Sequence, residues 1–173
     1  MLPFDTIHAV VGCLIDADAC AEDSGWNEFP AVLVLHERRP ATHATTSTCQ
    51  IRLDVIAVPD RRWLEHPTGV VGVLTDLATT WPDPPTGDTD GEESDSRLLA
   101  WAVVYEDIRA EGTTDLAEVR HIDALDIDGR TYQITRVRGE DRAVVVIDDD
   151  PVPARTSATR AGLAALLGAA RRT

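Results

Sequence analysis

The dipeptide Asp128-Gly129 stands between two runs with the composition of β-strands, residues 118–127 and 130–138. Asp-Gly in that setting is the strongest short-range signal for a tight hairpin. The apolar run 98–107 precedes the pair, and Ala143-Val-Val-Val-Ile147 follows it across Gly139-Glu140-Asp141. A second half built this way folds as an antiparallel meander, and the rest of the chain must cover it. A two-residue turn at Asp128-Gly129 predicts Leu125 opposite Tyr132, Asp123 opposite Ile134 and His121 opposite Arg136, with side chains of these pairs on one face.

The first half supplies that cover and two further strands. Phe4, Ile7, Val11, Leu14 and Ile15 recur at helical spacing over residues 3–22, with Gly25 as a stop. Cys13 and Cys20 read as core fillers of this helix, too far apart along it for a disulfide. Residues 31–37 and 50–58 predict two strands of a long-looped antiparallel hairpin. Asp60 caps a short turn over Arg61-Arg62-Trp63-Leu64. Pro67 opens a second helix carrying Val70, Val71, Leu74, Leu77, Ala78 and Trp81. Ser157 caps a closing helix with Ala161, Leu163, Leu166, Leu167 and Ala170. The order α-β-β-α-β-β-β-β-α predicts one α+β domain over residues 1–173, a single antiparallel sheet of five or six strands with helices on one face. Within it, residues 82–97 read as a mobile acidic loop and residues 151–156 as a Pro-rich connector.

Charge bounds the partners. The 173 residues carry 30 acidic and 16 basic side chains, a net charge of −14, and every basic residue is Arg. A chain without Lys has no P-loop or Schiff-base lysine. The acidic balance argues against nonspecific binding to nucleic acid or anionic membranes, and it allows a basic protein partner, metal ions or the solvated surface of a salt-tolerant protein. Residues 151–173 hold four Arg and no acid, whereas residues 1–150 hold 12 Arg and all 30 acids. The closing helix is therefore drawn to the rest of the chain, and it is expected on the sheet beside the N-terminal helix. The alternative is a partner-binding or dimerising helix, so a homodimer is also considered. No apolar run reaches membrane-spanning length, no signal segment is legible, and three cysteines suit a reduced, cytoplasmic protein.

This element order is similar to that of roadblock and longin-like domains, with one strand more, and to the small acidic chaperones of type III secretion and their YbjN-like relatives. Those resemblances imply protein binding rather than catalysis. More locally, Trp26 before Pro30, the apolar strand to His36, and Asp126-x-Asp128-Gly129 followed by Tyr132, Thr135 and Arg136 resemble uncharacterised small acidic proteins of high-GC actinobacteria. No activity comes with that likeness.

The chemistry that remains is sparse. Gly-x-Gly-x-x-Gly, Gly-x-Ser-x-Gly, His-Glu-x-x-His and Cys-x-x-Cys are all missing, and no cofactor is called for. His36, His43 and Cys49 have the residue types of a zinc site but not its spacing. Asp88 to Glu93 has a calcium-loop flavour without the required glycine and glutamate positions. The pairing above gathers His121, Asp123 and Arg136. Either Asp123 orients His121 as an acid–base pair while Arg136 holds an anion, or the three form a surface ion-pair ladder. The meander also brings Asp126 and Asp128 to the sheet end that holds Asp148, Asp149 and Asp150. These five carboxylates attract a cation, a basic partner or the chain's own Arg residues, or stay solvated. The predicted function is an acidic protein-binding module, chaperone-like or regulatory, without catalytic chemistry. The alternative is a small-molecule or metal-dependent enzyme using His121, Asp123 and Arg136.

Overall fold

The computed structural model describes residues 1–38, 50–80, 96–111, 115–150 and 157–172. The expected acidic loop lies outside these residues except for Ser96 and Arg97, which open a strand, and the connector at 151–156 lies outside them entirely. The elements run α1 (Phe4–Ser24), β1 (Ala31–Arg38), β2 (Gln50–Ile56), α2 (Asp60–Glu65), α3 (Gly69–Thr80), β3 (Ser96–Glu111), β4 (Asp115–Asp126), β5 (Thr131–Val137), β6 (Val144–Asp148) and α4 (Arg160–Ala170). The strands form one antiparallel sheet in the order β2-β1-β3-β4-β5-β6, an α+β fold. Among the described residues no helix is long and apolar enough to cross a membrane.

The helices cover both faces of the sheet, not one. In β1 Val32 and Val34 pack with Trp63 of α2, Val73, Leu74 and Leu77 of α3, and Leu163, Leu166 and Leu167 of α4. Their neighbours Leu33 and Leu35 pack with Val10 and Leu14 of α1. Because successive strand side chains point to opposite faces, α1 lies across the sheet from α2, α3 and α4. The reason was in the sequence: residues 31–35 and 98–103 are apolar without alternation, as strands buried on both faces must be. The expected position of α4 is corrected for the same cause, since it docks within the chain but against α3 and the face opposite α1.

Local differences have local causes. The buried stripe of α1 is Thr6, Val10, Leu14 and Asp18, a row at spacing four, while Phe4 and Ile15 are exposed. Cys13 is half-buried and packs against the Val10–Leu14–Leu33 cluster, whereas Cys20 is exposed and fills no core. Pro67 precedes α3 by two residues, because Gly69 turns the chain at φ +58° before the helix runs. Ser157 caps no helix; its hydroxyl accepts from the Thr159 N–H at 3.1 Å, ordering the turn that leads into α4.

Candidate functional site

The β4–β5 hairpin decides which polar groups can meet. Its turn is one residue longer than expected. Gly129 N–H donates to the Asp126 carbonyl and Asp126 N–H to the Arg130 carbonyl, both at 3.0 Å, which encloses Ile127-Asp128-Gly129 with Gly129 at φ +91°. This is the geometry of a three-residue loop with a left-handed glycine. The Asp126 carboxylate enforces it by accepting the N–H groups of Asp128 at 2.8 Å and Arg130 at 3.0 Å. The register is therefore Leu125 with Thr131, Asp123 with Gln133 and His121 with Thr135. A one-residue change sends every β5 side chain to the other face. Arg136 consequently leaves His121 and Asp123 and points to the α1 face, where it binds Asp18 at 2.5 Å.

His121 and Asp123 remain together on the face that carries α4. Asp123 is buried and accepts from Ser157 Oγ at 2.5 Å, Thr159 Oγ1 at 2.7 Å and Tyr105 Oη at 2.9 Å. These donors tie the start of α4 to the sheet, a link no sequence pattern announced. The His121 ring lies 5.1 Å from that of Tyr105, and its Nδ1 faces Thr135 Oγ1 at 3.4 Å. Burial pushes the His121 pKa down, Arg109 adds to this, and the Asp123 and Asp107 carboxylates oppose it. Burial and the Asp123 carboxylate push the Tyr105 phenol up. The cavity beside Asp123, Ser157 and Thr159 is about 10 Å³, room for one water and no more.

Four of the five acids at the sheet end use their carboxylates on partners within the chain. Asp126 is fully buried, holding Arg130 at 3.0 Å and the Tyr132 phenol at 2.8 Å. Asp149 takes the other side of the same guanidinium, Asp128 binds the Leu2 N–H and the N-terminal amine, and Asp148 accepts the Asp150 N–H. Burial alone would raise the Asp128 carboxyl, but the Leu2 and N-terminal contacts outweigh it and hold the group below the usual carboxylate range. Among the described residues no three His, Cys, Asp or Glu side chains are grouped as metal ligands. Of the zinc types, His36 sits 3.5 Å from Asp54 across the strands, while His43 and Cys49 fall outside the described residues, as does Asp88 to Glu93.

The α1 face holds a sizeable concavity with an apolar floor. Here α1 is fastened by ion pairs: Asp18 with Arg136, and Glu22 with Arg120 at 3.0 Å. Arg120 is 2 % exposed, also reaches Glu106 at 3.2 Å and the Gly25 carbonyl, and lies 4.3 Å over the Trp26 ring. Asp18 could have been found from sequence, as an acid in register with Val10 and Leu14 on an apolar stripe; Arg120, on an alternating strand, could not. Among the described residues a single helix spans this side of the sheet, and a groove of about 770 Å³ lies between α1 and the β1–β2 hairpin. Its floor is Ala31, Leu33, Leu53, Val55 and Val104, Phe29 stands at one end, and Asp16 and Glu28 are on its lining. Phe29 and Val55 are exposed. Asp16 and Glu28 are exposed too and have no ion-pair partner among the described residues. Compared with known proteins, the chain matches no family model, no curated protein and no solved structure.

Proposed function

We propose that this chain is an acidic protein-binding module, chaperone-like or regulatory, that receives an apolar, Arg- or Lys-bearing segment of a partner protein in the groove between α1 and the β1–β2 hairpin. The observation that carries the reading is the groove itself: about 770 Å³ over an apolar floor, with the carboxylates of Asp16 and Glu28, which have no ion-pair partner among the described residues, on its lining. A concave apolar surface rimmed by charge suits a ligand or partner segment, and exposed carboxylates select cationic ligands. The similarity of element order to roadblock, longin-like and secretion-chaperone domains points the same way. The alternative, an enzyme using His121, Asp123 and Arg136, has less support, because the sheet stands between Arg136 and the other two and the cavity at Asp123 admits no substrate.

The test is selection of displayed random peptides on the immobilised full chain. Peptides enriched on the wild type should combine large apolar residues with Arg or Lys. Val55→Asp should weaken their binding by at least about tenfold, since it places a charge on the apolar floor, and Asp16→Lys with Glu28→Lys should reverse the charge preference. Enriched peptides without basic residues, or binding indifferent to Val55→Asp, would overturn the assignment.

A further inference from the structure

One wall of the groove is α1, and that wall is built of small side chains. Cys13, Ala17, Cys20, Ala21 and Ser24 line it, a row at helical spacing with no side chain larger than Cys. Helix axes come within about 8 Å of each other only where the side chains between them are small. The backbone around the groove is already committed. β1, which carries Leu33 on the floor, pairs on both sides, with β2 and with β3. The N–H and C=O groups of α1 are bonded within the helix. What the floor and the α1 wall offer an occupant is therefore side-chain carbon.

We propose that the partner segment is an amphipathic α-helix of about three turns, lying alongside α1 over the apolar floor; this rests on the groove being the partner site. A chain buried against side chains must pair its own backbone groups, because each amide left unbonded away from water costs free energy. A helix does so internally. An extended segment finds partners only along the outer side of β2, the free strand edge beside the groove, and such pairing gives no role to the small-residue row on α1. Length agrees, since α1 rises about 17 Å from Cys13 to Ser24, three turns of a neighbouring helix. The opposite face of β1 is covered in the same manner, with Val32 and Val34 packed under α3 and α4. The chemistry of the occupant follows from its surroundings. One apolar stripe meets Leu33 and Val55, and Arg or Lys on the flank meets Asp16 and Glu28, which are exposed and in no ion pair among the described residues. A second copy of this chain, at net charge −14, is repelled from those carboxylates.

Two displayed peptide libraries of equal composition and about 14 residues, offered together to the immobilised full chain, test this. One places its apolar residues at i, i+3, i+4, i+7 and i+11, and the other alternates apolar with polar. The helical library should be enriched, and a peptide synthesised from it should gain helical circular dichroism on binding. Pro at the centre of that peptide should weaken binding at least about tenfold. Ala21→Leu and Cys20→Leu each enlarge the α1 wall while keeping a good helix former, and each should weaken binding at least about tenfold without lowering the thermal midpoint of the free protein. Equal or greater enrichment of the alternating library, a bound peptide without helical signal, or binding indifferent to both wall variants would overturn the helix. If Val55→Asp still abolishes binding in those cases, the groove stands as the partner site. No enrichment from either library, or enriched peptides indifferent to Val55→Asp, would overturn the groove and the helix together.

Discussion

The carboxylate of Asp126 accepts two backbone N–H groups of its own turn, the Arg130 guanidinium and the Tyr132 phenol. One side chain thus closes the loop, sets the hairpin register and neutralises a buried cation. Asp126→Ala leaves Arg130 and Tyr132 without this partner and should cost about 3–5 kcal/mol, the penalty for breaking a buried pair. Urea denaturation measures it, and a loss below about 1 kcal/mol, typical of surface changes, would mean that Gly129 alone holds the turn. His121 is a second buried titratable group, and it disfavours its proton because burial, with help from Arg109, destabilises the imidazolium. Its folded pKa lies below the unfolded one. As pH falls through about 6.5 the unfolded chain protonates first, so stability declines below that pH and levels off once the folded group is protonated as well. In His121→Phe this component disappears. Stability measured from pH about 7 down to about 5 should then fall less steeply than in the wild type, and equal slopes would remove His121 from the account.

Elements in this chain meet through backbone shape as well as apolar stripes. α3 and α4 approach so closely that a Cβ on Gly162 would stand 2.5 Å from Leu74 Cβ. Leu74 is fully buried among the α3–α4 contacts and cannot withdraw. Gly162→Ala gains about 1 kcal/mol of helix propensity yet forces the helices apart, at an overpacking cost of about 1–3 kcal/mol. Thermal unfolding should show a lowered midpoint, and an unchanged or raised one would show that the pair can separate freely. On the other face α1 packs Val10 and Leu14 on the sheet and is fastened further along by Asp18 and Glu22 reaching Arg136 and Arg120. Packing against one helix instead of three leaves the groove beside α1 open. Both faces of the sheet carry an apolar core, and the α1 face adds ion pairs and the groove.

At the scale of the molecule, order and type of elements were legible from residue pattern alone. The run 98–107 at the sheet centre, the 31–37 and 50–58 hairpin, the meander after residue 118 and both terminal helices all appear in the structure. Pattern reports what each segment needs locally, and those needs were met. The unbroken apolar runs of β1 and β3 even carried the two-faced burial that a one-sided layout overlooked. The site was less legible. His121, Asp123 and Arg136 depend on strand register, and register turned on one Asp126 side chain bonding its own backbone, which selects a three-residue loop over the two-residue turn that Asp-Gly by itself favours. The groove beside α1 and the burial of Arg120 are properties of which surfaces remain uncovered once every element has docked. Local sequence determined the strands and helices because hydrogen bonding and side-chain period act over a few residues. Only the tertiary structure decided what stayed open, because exposure depends on residues far away in the chain.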